Sequence, residues 1–301
     1  MNKNNILIIG AGIAGLTAAI YIQRAGKQAI VFEKNAPGGQ IITANEIENY
    51  PGMASVNGAD LGFKLYQQAM DLGAHFVYEE VVKIVPEENR VTIQTAQDTY
   101  TGKSLIYAGG ASHRHLGLAN EEKLIGHGIS YCANCDGAFF KDKVVAVNGG
   151  GNIALDDAIY LSSIAKEVYL IHRRNTYRAE TVLQEKLATI DNIHPITNTI
   201  ICGLEEKQGK LSGLALQNVQ TKEKRSLAVD GLFVAIGMQP ETSLLEGIVH
   251  LDKSGYIQAG EDTRTNVKNI FVAGDVRTKN VRQLTTAAAD GTAAAILAAS
   301  I

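Results

Sequence analysis

Twice in this chain a short apolar run breaks into a glycine turn that opens a helix, and that repeated unit constrains the fold more than any other feature. The first is NILII followed by GAGIAG, with Gly10, Gly12 and Gly15 spaced G-x-G-x-x-G, before a small-residue helix predicted over 13–25. Gly10 permits the tight turn, Gly12 lets a pyrophosphate approach the backbone, and Gly15 lets the helix pack close on the strand. A second strand, QAIVFE, ends in Glu33, eighteen residues after Gly15, where a carboxylate accepts hydrogen bonds from a ribose diol. The first nucleotide is therefore adenine-linked.

The second unit is KVVAVNGGGNIALDDAIYLSSIA: a strand, then Gly149-x-Gly151-x-x-Ala154, then a helix with apolar Ile153, Leu155, Ile159 and Leu161. Asp156 and Asp157 are expected in its first turns, where the helix dipole favours acids, so a capping role and a nicotinamide-side role both stay open. The next strand, EVYLI, ends in His172, Arg173 and Arg174, with Arg178 four positions on and no acid in the place Glu33 takes in the first unit. Guanidinium forks suit a 2′-phosphate that a carboxylate would repel, so the second nucleotide reads as NADPH.

Between the units lies SYCANCDGAFF, with Cys132 and Cys135 three positions apart. A structural zinc needs four ligands, and the third cysteine, Cys202, is isolated; no metal site is expected. A staple over so short a loop constrains little of the unfolded chain. Redox exchange remains, provided that the chain supplies an electron source. Cys202 reads as a small core residue.

Beyond the second unit the chain runs through GLFVAIGMQPETSLL to NIFVAGDVR and RQLTTAAADG. The late strand ending in Gly274 and Asp275 returns to the first domain, where Asp275 is placed to hold a flavin's ribityl hydroxyls. A helix opening near Arg282 and Gln283 directs its positive end at a flavin ring that becomes anionic on reduction. The expected architecture is α/β: two Rossmann-like, three-layer ββα nucleotide-binding domains, the NADPH domain (115–241) inserted into the FAD domain (1–114 and 242–301). A length of 301 residues suits two domains at about 150 residues each. The net charge of −3 and the lack of basic runs give no reason to expect nucleic acid or an anionic membrane. The apolar opening after Lys3 fits a nucleotide turn better than a signal peptide, and Arg282 and Asp290 break the C-terminal apolar stretch short of the ~20 residues that span a bilayer. With three cysteines and no export signal, a cytoplasmic location is expected.

These residues resemble the low-molecular-weight, bacterial-type thioredoxin reductases over nearly the whole chain. The resemblance is carried by GAGIAG, PGGQIITANEIENYPG, CANCDG, GGGNIA with HRR and a following arginine, AGDV, and RQ before the last helix. It implies FAD held by Gly10, Gly12, Ala14, Gly15, Glu33, Lys34, Gly39, Gln40, Asn49, Val82, Ala108, Gly109, Gly274, Asp275, Arg282, Gln283 and Leu284. It implies NADPH held by Gly149, Gly151, Asn152, Ile153, Ala154, His172, Arg173, Arg174 and Arg178.

The resemblance also implies a Cys132–Cys135 disulfide, with Cys135 nearer the flavin, Cys132 attacking the partner's disulfide, and Asp136 protonating a departing thiolate. The partner is then thioredoxin or a thioredoxin-like redoxin, and the chain a homodimer. Rival readings are a related reductase fed by another donor such as ferredoxin, against which the arginines speak, and a slow-turnover flavin redox sensor. The chain departs from the family pattern at Gly109, where threonine is usual, at Asn148 and Ile153, and at His127 and Ala138 in the region expected to touch a partner. Phe139 and Phe140 suit core packing or partner contact equally.

Overall fold

The computed structural model describes residues 5–44 and 46–301, so Lys3 and Asn45 of the stretches quoted above lie outside it. The chain divides into two compact units: residues up to Ser112 together with Gln239–Ile301, and the inserted His113–Met238. The sequence reading places the crossings at 114/115 and 241/242, and the compact units meet at 112/113 and 238/239.

The first unit opens with β1 (Ile6–Ile9), α1 (Ile13–Arg24), β2 (Ala29–Phe32), α2 (Gly58–Asp71) and β3 (His75–Val77). An antiparallel meander follows, β4 (Val81–Glu87), β5 (Arg90–Thr95) and β6 (Thr99–Gly102), then β7 (Ser104–Tyr107) and β8 (Ala111–His113) at the crossing. The inserted unit contains α3 (Glu121–Leu124), β9 (Ile129–Ser130), α4 (Ala133–Asp136), β10 (Val144–Asn148), α5 (Asn152–Ser162), β11 (Glu167–Ile171), α6 (Thr181–Ala188) and β12 (Ile193–Ile196). A second meander, β13 (Thr199–Lys207), β14 (Lys210–Asn218) and β15 (Lys224–Ala228), precedes β16 (Gly231–Val234) and the return crossing β17 (Met238–Pro240). The first unit is completed by β18 (Ile270–Val272) and α7 (Leu284–Ala299).

Each unit is built on a five-stranded parallel sheet, β18-β7-β1-β2-β3 in the first and β12-β11-β10-β16-β9 in the second. Both faces of such a sheet are covered, which is why its strands read as unbroken apolar runs. Side-chain alternation then divides each strand between two cores. Ile6 and Ile8 of β1 pack with α1 and α7, while Leu7 and Ile9 pack with the β4–β6 meander. In the inserted unit Val145 and Val147 pack with α5, and Ala146 with β13 and β14. Helix, parallel sheet and meander make the three layers expected for each unit. No helix among the described residues is long and apolar enough to cross a membrane.

One apolar position breaks the expected pattern. Leu155 and Leu161 of α5 are buried and Ile159 is half-buried, but Ile153 is 56% exposed at the mouth of the glycine turn. The buried stripe of α5 runs through Ala154, Leu155, Ala158 and Leu161, a helical spacing that leaves 153 off its face.

Candidate active site

In the first unit two glycines of the turn are sterically required and a third leaves open space. Gly10 is left-handed (φ 98°), and a Cβ there would collide with the Ala108 carbonyl. A Cβ on Gly15 would collide with the Gly10 carbonyl, so α1 rests on β1 only with glycine at that position. At Gly12 a Cβ would meet only Gly39 Cα, at 3.9 Å, which leaves the mouth of the turn open. Gly109 has its own reason: a Cβ would stand 2.8 Å from the Tyr107 ring, whose hydroxyl donates to the Glu241 carbonyl at 2.7 Å. The tyrosine occupies the space that a threonine side chain would need.

Glu33 closes on the turn. Its carboxylate accepts the Ala11 N–H at 2.8 Å and the Asn35 N–H at 2.9 Å. Residues distant in sequence also converge: Asn49 Nδ2 donates to Gln283 Oε1 at 3.4 Å, and Gln283 caps α7. A Cβ on Gly274 would meet Ala14 at 3.0 Å, so the late AGDV turn lies against the first helix. Arg282 donates to the main-chain oxygens of Asp275 and Arg277, both at 3.4 Å, and its guanidinium lies 4.2 Å from the Tyr256 ring centre. Gln40 donates to the Ala111 carbonyl, and Leu284 is half-buried at the start of α7. Lys34 and Val82 are exposed, Lys34 in an ion pair with Glu80 at 3.2 Å.

Asp275 has one carboxylate oxygen, Oδ1, buried without a hydrogen-bond partner, and burial pushes its carboxyl above the usual range. Native structures leave few such atoms unpaired. An orphaned acceptor in the same unit as an open glycine turn fits a flavin dinucleotide, which brings hydroxyl donors and a pyrophosphate.

In the inserted unit a Cβ on Gly149 would collide with the Ala235 carbonyl, whereas one on Gly151 would meet nothing within 4 Å. The second turn is therefore as open as the first. The arginine loop is fastened to it: Arg178 N–H donates to the Gly150 carbonyl at 2.7 Å, and Asn152 exchanges two 2.9 Å hydrogen bonds with Glu180. Arg173, Arg174 and Arg178 are exposed and form no ion pair with any carboxylate among the described residues.

His172, expected beside these arginines at the cofactor, is 5% exposed. Its ring fills the space a Cβ on Gly150 would occupy, and Nε2 bonds the Thr176 carbonyl at 3.2 Å. Burial, with the arginine cations around it, holds the imidazole below its ordinary value. It supports the turn from within. Asp156 and Asp157 lie in the second turn of α5, and the first turn holds no acid. Burial, with Asp156 beside it, pushes Asp157 up to about 7.

Cys132 and Cys135 form a disulfide, with Cα atoms 5.3 Å apart. Cys132 is half-buried and caps α4, and Cys135 is exposed. Asp136 follows, its carboxyl pushed up by burial and pulled down less strongly by the Ser130 hydroxyl, which donates to Oδ2 at 2.6 Å. The same hydroxyl oxygen accepts the Cys132 N–H at 3.0 Å, so one serine ties the first thiol's backbone to the acid. Sequence reading missed Ser130; its only signal is its place two residues before the motif. Phe140 packs against Phe233 at 5.2 Å, while His127, Ala138 and Phe139 are exposed. Cys202 is half-buried in β13, donating to the Ala215 carbonyl at 3.3 Å.

Residues 4–291 match the family described as pyridine nucleotide-disulphide oxidoreductase. The chain is 42% identical to a thioredoxin reductase of Treponema pallidum, covering 98% of this chain and 96% of that one. It is 39% identical to a thioredoxin reductase of Listeria monocytogenes, over 95% and 90% respectively. The crystal structure of a thioredoxin reductase from Streptococcus pyogenes superposes with a TM-score of 0.92 at 37% identity, covering 98% of this chain and 97% of that one.

Proposed function

Since the chain belongs to the pyridine nucleotide-disulphide oxidoreductases, we propose that it carries electrons from NADPH by way of FAD to the Cys132–Cys135 disulfide, and from there to thioredoxin or a thioredoxin-like protein. The observation that carries this reading is the Cys132–Cys135 disulfide beside a half-buried acid, in the unit that also holds the second glycine turn. Its relatives are thioredoxin reductases over nearly their whole length.

In this reading the Gly149–Ala154 turn receives the NADPH pyrophosphate, and Arg173, Arg174 and Arg178 grip its 2′-phosphate. The Gly10–Gly15 turn, Glu33, Asn49, Gln283 and Asp275 hold FAD. When bound, FAD supplies the two-electron exchange between a hydride donor and a disulfide. In the reduced protein the Cys132 thiolate attacks one sulfur of the partner's disulfide, and the partner's other sulfur leaves as a thiolate. Asp136, kept protonated to higher pH by its burial, donates a proton to that leaving group. The Cys135 thiolate then attacks Cys132 Sγ, which breaks the mixed disulfide, releases the partner's second thiolate and restores Cys132–Cys135.

His127, Ala138 and Phe139 are exposed near the motif in sequence and supply contact surface for the partner. We further infer a homodimer and a cytoplasmic location. The family resemblance supports the first, and α2 exposes two large apolar side chains, Phe63 and Met70.

The deciding assay is NADPH-driven reduction across a panel of redoxins. Sustained turnover with a thioredoxin-type partner is expected; a flavin that bleaches with NADPH while no redoxin is reduced overturns the reading.

A further inference from the structure

A group of charged side chains is buried together in the first unit behind the turn that carries Asp275. Asp290 on α7 is 4% exposed, and the side chains of Arg277 and Lys279 are 3% and 6% exposed. Asp290 Oδ2 accepts from the Gly274 N–H at 3.0 Å, Arg277 Nε at 2.9 Å and Lys279 Nζ at 2.9 Å; Oδ1 accepts from Arg277 Nη2 at 2.7 Å. Arg277 alone satisfies Asp290 as a bidentate partner. Burying a second cation beside it carries a large desolvation cost that apolar packing would avoid.

Lys279 has another neighbour. Its ammonium stands 3.7 Å from Asp275 Oδ1, the buried oxygen with no hydrogen-bond partner. The other charges facing Asp275 are Arg282, engaged with main-chain carbonyls and the Tyr256 ring, and Asp290 itself. Burial pushes the Asp275 carboxyl up; Lys279 is the largest influence against it, ahead of Arg282, and Asp290 adds to the push.

We propose that Lys279, fixed in place by Asp290, is a positioning residue whose ammonium, 3.7 Å from Asp275 Oδ1, favours a charged acceptor for the flavin's ribityl hydroxyls. This rests on the reading of Asp275 as a ribityl-binding residue. A charge-assisted hydrogen bond is roughly twice as strong as a neutral one, so losing the ionised form weakens FAD binding.

The test is FAD binding to flavin-stripped protein, followed by fluorescence quenching from about pH 6 to about pH 9, a range in which ordinary carboxylates stay ionised. The unaltered protein should show a nearly constant Kd. Lys279→Met should raise Kd about tenfold at the acid end and recover toward the alkaline end, as Asp275 ionises without its cation. Lys279→Arg, which restores the cation, should keep the flat profile. Lys279→Gln gives the same reading as Lys279→Met if the methionine variant does not fold. A Kd unchanged in the uncharged variants, or raised by one factor at every pH, overturns the proposal. Asp275→Asn separates the two readings: it should weaken FAD at every pH. Unaltered binding in Asp275→Asn would remove the ribityl assignment itself, whereas weak binding there with unaltered Lys279 variants removes only the role of the lysine.

Discussion

Ser130 donates its hydroxyl to Asp136 at 2.6 Å, six positions away and on the far side of both motif cysteines. That bond opposes burial in setting the proton affinity of the acid. In Ser130→Ala the opposition is lost and the Asp136 pKa rises further. The protonated form then survives to higher pH, and the alkaline limb of the pH profile for partner reduction should move upward. Asp136→Asn can release no proton and should slow partner reduction by roughly 10²- to 10⁴-fold, while flavin bleaching by NADPH in a stopped-flow trace proceeds. An unmoved pH limb in the serine variant would count against the acid.

Cys132→Ser and Cys135→Ser should each abolish partner reduction and leave FAD reducible by NADPH. Cys202→Ser should change stability by no more than about 0.5 kcal/mol and activity not at all, because its thiol makes one sulfur contact in a meander strand. Steady-state assays of the three variants decide this; an inactive Cys202 variant beside an active Cys132 variant would reassign the redox centre.

Arg173→Ala combined with Arg174→Ala should raise the KM for NADPH far more than that for NADH. Each charge-assisted contact to a 2′-phosphate contributes about 1.5–3 kcal/mol, roughly tenfold to a hundredfold in binding. Equal losses with both cofactors would mean that the loop had been damaged as a whole.

Gly150→Ala should drive a methyl group into the His172 ring and cost about 1–3 kcal/mol through overpacking, with NADPH affinity falling as the turn shifts. Adding His172→Ala should recover part of the stability, since the obstruction is then gone. Thermal melts of the single and double variants give the comparison, and strictly additive losses would contradict the packing argument.

Glu121 is buried, accepting the Leu116, Gly117 and Leu118 N–H groups and the Tyr131 hydroxyl. Burial pushes its carboxyl up, but these donors hold it below the ordinary glutamate value. The stability it contributes is therefore complete above the ordinary glutamate range and is lost as pH falls through the depressed folded value. Glu121→Gln should lower unfolding free energy by about 1–3 kcal/mol near neutrality, and the gap to the unaltered protein should narrow in acid. Urea titrations at several pH values would show it; a gap that stays constant with pH would be inconsistent with the carboxylate's role.

What could be read before the structure was whatever depends on local spacing. The glycines of both turns, the strand-to-helix order and the placement of Glu33 follow from steric needs within some thirty residues of chain. Legibility faded where a partner comes from a distant segment. His172 lies in a basic run and was grouped with its neighbours, yet its ring belongs to the packing of Gly150, more than twenty positions earlier. Ser130 carries no motif of its own, because a serine's use depends on which acid folds back onto it. Asp290 was read only as a charge interrupting an apolar stretch; its two cations come from the loop after β18, and nothing in the helix pattern names them. Phe139 and Phe140 were indistinguishable in sequence and divide in space, one exposed and the other packed on Phe233.

β8 and β17, the two crossings, are hydrogen-bonded to each other as neighbouring strands. At the inner side Arg114 N–H meets the Gly237 carbonyl at 3.0 Å, and at the outer side Ser112 Oγ meets the Gln239 carbonyl at 3.4 Å. The cut ends of each unit therefore lie side by side, which makes the insertion modular: a short turn joining Ser112 to Gln239 closes the outer unit into one uninterrupted chain, and the inner unit leaves with its own ends already adjacent. A gene for either half can therefore be written as a continuous reading frame without breaking a strand of either parallel sheet.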